Sequence, residues 1–474
     1  MMPLDRIKLR SNNMLNLSLT MKKLFYFLSM FAVATWMMTS CQGTNTPEDP
    51  EDGVARYSIL VYGNAGGHMD FIMEGLWERL KPQMKSKQVR ISFLYKYGKA
   101  PEEGQKQKYA APGTLMDFEL TSTTNLDSLR YTSATTGWED FAMYDPECLK
   151  ISIDEMKKNM PAHNYILLIW GHGAGFDPNA DYPKDLRNGG PKKAREGVLY
   201  DEWLPSDTLG NAEALTMFEL REAIAQSQVP HFKAIYFHNC LLGNMETLDE
   251  IYDKADYLFS SMHLLASDGW MVETLVQALY ANTDFEKAGK AALTTMENHW
   301  KELYSAQGVA MNGDFNFIKS SEFAVLDPVF TRLSKRLVEL YPTQSEAIDR
   351  AMDKAYKPAV RTNFYDALDY ANKLAAETND AELKAIATDM KAAFEKIFLK
   401  RLGVFNKEDA RVPEYTLSVY VIDKEMYNKQ VGTYSYTTKQ AYEYSRFHQQ
   451  TLWGNWLNTN TYMSTVSPCG QVIE

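Results

Sequence analysis

Short apolar runs alternating with amphipathic segments predict an α/β fold, with a mostly parallel sheet covered by helices on both faces. The apolar runs are Tyr57 to Tyr62, Val89 to Tyr95, Tyr165 to Trp170 and Ala234 to Phe237, each bounded by polar residues. The amphipathic signal is clearest over 69–80, where Met69, Ile72, Met73, Leu76 and Leu80 recur at helical spacing. Helices are also predicted over 149–160 and 216–226, directly ahead of the third and fourth strands. Strand, helix, strand units joined by right-handed crossovers place their strands side by side.

The region before the first strand is not part of that fold. Met21-Lys22-Lys23, an apolar run from Leu24 to Met38, and Thr39-Ser40-Cys41 make the charged, apolar and small-residue regions of a secretory signal. The run is too short and wrongly flanked for a lasting membrane span. Its Thr-Ser-Cys ending is similar to a bacterial lipobox, with Met38 where leucine is more usual. On that reading Cys41 is a lipidated first mature residue, tethering the protein to a membrane in the bacterial cell envelope, outside the cytoplasm. A plain cleaved signal with an incidental cysteine is the simpler alternative. Residues 1–20 read as an upstream extension, so 1–40 hold extension and signal. Residues 41–53, rich in Thr, Pro, Glu and Asp, cannot bury enough surface to fold and read as a flexible tether.

The chain beyond the tether is long enough for one large domain or two packed ones. With 45% hydrophobic residues, it can build a substantial core. Its net charge of −11 and the lack of any basic tract argue against a nucleic-acid partner. Beyond Cys41 the cysteines are Cys148, Cys240 and Cys469, with no CxxC pair and no Cys/His cluster at zinc spacing, so no metal is expected. Cys148 and Cys469 read as two separate thiols, although spacing leaves a pairing open. Gly66-Gly67 is too short for a dinucleotide fingerprint, no GxxxxGK occurs after it, and no cofactor is implied. His68 beside it reads as a loop histidine.

Residues 98–113 and 177–197 read as surface loops, the second carrying Lys184, Arg187, Lys192, Lys193 and Arg195. Residues 54–326 would form the sheet domain. From Asp327 the pattern turns helical, over 333–341, 344–357, 363–377 and 380–402, and predicts a C-terminal helical subdomain, 327–474, with a late strand over 416–421. A helix-like stretch over 440–457 presents Tyr442, Phe447, Leu452, Trp453, Trp456 and Leu457 as a core-facing aromatic stripe.

Two strands end on reactive residues: Leu168-Ile169-Trp170-Gly171-His172-Gly173 and Ile235-Tyr236-Phe237-His238-Asn239-Cys240. Sites in such sheets collect at the carboxyl ends of strands. A thiol needs a nearby imidazole to take its proton and later to protonate a leaving amine. The Gly173 and Cys240 amides could bind a developing oxyanion, an effect of about 3 kcal/mol per donor. A lone histidine or cysteine after a strand is more often structural, and spacing alone does not decide the matter.

Taken together, Leu168-Ile169-Trp170-Gly171-His172-Gly173-Ala174-Gly175 and Asn239-Cys240-Leu241-Leu242-Gly243-Asn244-Met245-Glu246 resemble the clostripain family of cysteine peptidases, relatives of the caspases. Further landmarks are Ile59 to Tyr62, Asp70, Ala255 to Leu258, Asp268-Gly269-Trp270, Leu417 to Tyr420 and Trp453 to Leu457. The resemblance implies a caspase-like α/β fold and hydrolysis of peptide or protein substrates through an acyl-enzyme. It makes Cys240 the nucleophile, His172 the general base and acid, and Gly173 an oxyanion donor. Relatives that cut after arginine or lysine carry an acidic residue two positions before the nucleophile, where this chain has His238. Asp268 lies where a second acidic pocket residue is expected. His238 and Asp268 are therefore the substrate-binding candidates, and a basic preference is not expected. Some relatives are activated by cleavage at basic sites such as those in 177–197. The altered pocket also leaves open an inactive, caspase-like binding lipoprotein. The connection over 260–267 reads equally as a pocket wall and as a plain strand-to-helix link.

Overall fold

The computed structural model describes residues 49–64, 70–97, 114–128, 142–173, 175–176, 199–200, 214–265, 270–307, 313–358, 363–404, 417–421 and 442–459. The signal with Cys41, His68, the basic loop over 177–197, Asp268 and Cys469 lie outside the described residues.

The strands, in chain order, are β1 (Ala55–Asn64), β2 (Val89–Lys96), β3 (Leu115–Glu119), β4 (Ala162–Gly171), β5 (Leu199–Tyr200), β6 (Ala214–Leu215), β7 (Phe232–His238), β8 (Ala255–Ser260), β9 (Gly313–Lys319), β10 (Phe364–Asp366), β11 (Phe398–Val404) and β12 (Ser418–Tyr420). Eight of them form one sheet in the order β11-β9-β8-β7-β4-β1-β2-β3. Its centre, β8 through β2, is parallel. The flanking pairs β2–β3, β8–β9 and β9–β11 are antiparallel. The predicted mostly parallel sheet is thus present, with antiparallel margins.

The helices are α1 (Asp70–Leu80), α2 (Pro146–Asn159), α3 (Met217–Gln226), α4 (Met245–Ile251), α5 (Trp270–Ala281), α6 (Phe285–Gln307), α7 (Asp327–Lys354), α8 (Ala367–Thr378), α9 (Ala381–Ile397), α10 (Arg446–Thr451) and α11 (Trp453–Thr459). Local chemistry sets the starts of the two that feed the site strands. Asp145 caps α2 through the Glu147 amide, with Pro146 next, where a missing N–H costs nothing. Thr216 and Glu219 form a reciprocal capping box on α3, at 3.2 and 3.0 Å.

Both faces of the sheet are apolar and alternate residue by residue, as a strand's period of two requires. On β4, Leu167 and Ile169 join one core with α2, α3, α4, α7, α8 and α9, whereas Ile166, Leu168 and Trp170 join the other with α1, α5 and α6. On β7, Ile235 and Phe237 face the first core, and Ala234 and Tyr236 the second. Each such large side chain contributes about 1.5–3 kcal/mol through burial.

The C-terminal half differs from its sequence reading in three places. The predicted helix over 380–402 stops at Ile397, and Phe398–Val404 continues as β11, which pairs with β9 and widens the main sheet. The start of the helix predicted over 363–377 is instead β10, paired with β12. The stretch predicted over 440–457 is divided by Leu452, whose φ of 59° is left-handed, into α10 and α11. Its aromatic stripe is buried as expected: Tyr442, Phe447, Trp453, Trp456 and Leu457 all lie in the first core, whereas Leu452 is exposed. The segments predicted over 333–341 and 344–357 are the two arms of α7, which bends at Gln344, two residues after Pro342.

Candidate active site

The site begins where β4 and β7 end side by side. Trp170 and His238 are register partners, so the next residues, Gly171-His172-Gly173 and Asn239-Cys240, leave the same carboxyl end of the sheet together. Asn239 ties the two exits. Its Nδ2 donates to the Gly171 carbonyl at 3.2 Å and to the His172 carbonyl at 3.1 Å. Gly173 closes the gap further: a Cβ at this position would lie 2.5 Å from the Cys240 carbonyl oxygen and 2.8 Å from Asn239 Cβ. No side chain fits there. The structure therefore brings His172, Gly173 and Cys240 into one cluster, with His172 and Cys240 both half-buried.

The turn carrying Cys240 is shaped by backbone contacts. Leu241 is left-handed at φ 62°, a conformation costly for a branched side chain. Two bonds hold it: the Leu241 amide donates to the His263 carbonyl at 3.0 Å, and Asn244 Nδ2 donates to the Leu241 carbonyl at 2.8 Å. Asn244 also caps α4 through the Thr247 amide. Gly243 donates to the Ser261 carbonyl at 2.6 Å and accepts from the Ser418 amide at 3.0 Å. Gly243 sits so tightly on residues 261–262 that a Cβ would meet the Met262 nitrogen at 2.6 Å. On the His172 side, Gly175 has φ 83°, and a Cβ there would strike the Phe364 ring at 2.5 Å.

Burial pushes the Cys240 thiol up, opposed by the Leu265 amide, which donates to Sγ at 3.3 Å. A thiol so disposed needs a base to ionise, and His172 is the imidazole on the neighbouring strand exit. The segment 261–265 is thus more than a plain link, because three of its backbone groups meet the turn that carries Cys240.

His238 is buried, and its ring lies flat on Trp170, with centroids 3.8 Å apart and planes 2° from parallel. Period-two alternation accounts for this, since His238 continues the Ala234 and Tyr236 face. Cys148, on α2, is a buried thiol that burial pushes up to about 11. Asn239 and Leu241 stand in the quoted motif and His263 and Leu265 in the 260–267 connection, yet the sequence assigns none of the four a contact. Their roles rest on contacts between distant segments, which no local pattern announces.

A family model described as the clostripain family matches residues 127–459. No curated protein matches the chain. Among solved structures, a secreted cysteine protease from Bacteroides thetaiotaomicron in complex with an irreversible peptide inhibitor is similar at 14% identity and a TM-score of 0.53, covering 84% of this chain and 99% of that one. An inactive zymogen protease from Parabacteroides distasonis is similar at 17% identity and a TM-score of 0.53, covering 84% of this chain and 98% of that one. At these identities the likeness speaks for the fold.

Proposed function

Because this chain belongs to the clostripain family and is a clostripain-type cysteine peptidase, we propose that it is an endopeptidase working through a Cys240–His172 dyad. The observation that carries this is the junction of the two strand exits, with Asn239 bonded to the Gly171 and His172 carbonyls and Gly173 against Cys240.

His172 takes the Sγ proton, and the thiolate attacks the scissile carbonyl carbon. The oxygen, now negative, accepts from the Gly173 amide and the Cys240 amide. Collapse breaks the C–N bond as His172 returns the proton to the leaving amine, which gives a thioester on Cys240. Water then gives up a proton to His172 and attacks the thioester carbonyl. The acid product leaves, and the thiolate regains its proton.

His238 offers no permanent negative charge for a guanidinium, so the preferred residue before the cut is uncharged, with Asp268 the remaining acidic candidate in the pocket. Cys41 is the lipid anchor and 41–53 the tether, so the enzyme works at the bacterial cell envelope on peptide and protein substrates. The signal-like pattern of Met21 to Cys41 supports that location.

The decisive experiment replaces Cys240 with Ala and assays a peptide library. Hydrolysis should disappear, together with labelling by a thiol-reactive peptidyl probe. Undiminished hydrolysis would remove Cys240 from the mechanism.

A further inference from the structure

Behind the nucleophile turn lies a buried polar cluster that the catalytic steps do not use. His263 is 0% exposed, as is Asp314. His263 Nδ1 lies 2.9 Å from Asp314 Oδ1, and its Nε2 lies 2.8 Å from the Tyr356 hydroxyl. A carboxylate accepts and does not donate, so Nδ1 carries the proton in this contact. Asp314 Oδ1 also accepts from Ser261 Oγ at 2.7 Å and from the His263 amide at 3.2 Å, and Oδ2 accepts from Asn316 Nδ2 at 2.9 Å. Four donors on one buried carboxylate form a rigid set whose members are costly to leave unmatched.

The set is anchored on three parts of the fold. Asp314 stands on β9, next to β8 in the sheet. Tyr356 comes just after α7, where its amide donates to Asp369 Oδ2 at 2.8 Å and its carbonyl accepts from the Asp366 amide at 2.9 Å. His263 lies in the segment after β8, and residues 261–265 make three contacts with the nucleophile turn: the Ser261 carbonyl to Gly243, the His263 carbonyl to Leu241, and the Leu265 amide to Cys240 Sγ.

We propose that His263, clamped between Asp314 and Tyr356, is a positioning residue for Cys240, setting the left-handed turn after the nucleophile and aiming the Leu265 amide at Sγ. Through Tyr356 the helical C-terminal half thereby bears on the nucleophile. A charge-assisted bond to the forming thiolate is stronger than one to a neutral thiol, so losing the Leu265 aim raises the pH at which Cys240 ionises. This inference rests on Cys240 as nucleophile, which the Cys240→Ala experiment decides separately.

The test uses the full chain with His263→Leu, His263→Asn and Tyr356→Phe. Each is measured for kcat, KM and the pH profile of Cys240 alkylation by iodoacetamide, a probe that needs no substrate pocket. His263→Leu should lower kcat about tenfold or more with KM within about twofold, and move the alkylation profile to higher pH. His263→Asn, whose amide can still donate to Asp314, should recover part of both losses. Tyr356→Phe, which removes one oxygen, should shift both in the same direction by a smaller amount. If His263→Leu does not fold, the other two decide. Wild-type kcat and a wild-type alkylation profile in every folded variant would overturn the proposal. So would a fall in kcat with an unmoved alkylation profile, which is the mark of a structural role elsewhere.

Discussion

Trp170 and His238 face each other across β4 and β7 with ring centroids 3.8 Å apart and planes within 2°. The residue two positions before Cys240 is therefore an aromatic surface packed in the sheet and carries no carboxylate. A guanidinium held bidentately needs that carboxylate.

A profile of cleavage sites in denatured proteins should accordingly favour uncharged residues before the cut. On a matched substrate panel, kcat/KM for arginine is expected to be at least about tenfold below the best uncharged residue, a gap of about 1.4 kcal/mol. Arginine ranking first would mean that Asp268 suffices for basic specificity.

Asn239→Ala removes both side-chain bonds that join the strand exits. A buried Gly171 carbonyl and a half-buried His172 carbonyl that lose these donors should cost about 1–3 kcal/mol of stability. Loosening of the two strand exits against each other should lower kcat by about tenfold or more. Thermal melting and steady-state kinetics on one preparation read both effects. An unaltered kcat would show that the bond serves stability alone.

Gly173→Ala would put a methyl 2.5 Å from the Cys240 carbonyl oxygen, which is backbone and cannot swing away. A shift of the turn carrying Cys240 should result, with a loss of kcat/KM of about a hundredfold and a destabilisation of about 1–3 kcal/mol. Retention of near-wild-type kcat/KM would contradict the close approach of these two segments.

Acidic side chains on α4 predict a pH dependence of stability. Burial pushes Asp249 from its ordinary 3.8 up to about 8, with Asp327 nearby adding to the rise and Arg446 opposing it. Burial likewise raises Glu246 and Glu250 to about 7, against the hydrogen bonds each accepts. A folded value above the unfolded one means that the folded state binds more protons. The stability these groups contribute is then fully present below about pH 4 and lost as pH rises to 7–8. Asp249→Asn mimics the protonated form at every pH. Its melting temperature relative to wild type should climb between pH 5 and pH 8, by a few degrees for about 2 kcal/mol. A difference that stays constant over that range would exclude Asp249 as a titrating group.

Strand periodicity, helix caps and the placement of His172 and Cys240 at strand ends are local properties, and the sequence by itself determined them. The apolar runs of β1, β2, β4 and β7 and the Thr216–Glu219 box need only neighbours within a few residues. The family motif around Cys240 is local too, and with it the class of chemistry. Only tertiary structure decided what depends on distant partners. Phe398–Val404 continues from α9 without a break in its pattern, and its becoming a sheet edge depends on β9 offering an unpaired side. Likewise, the bond from Leu265 to Cys240 and the His263–Asp314 pair join residues 25 and 51 positions apart. A backbone amide acts through its position, whatever its side chain, so the donor aimed at the thiol leaves no mark in the amino-acid sequence.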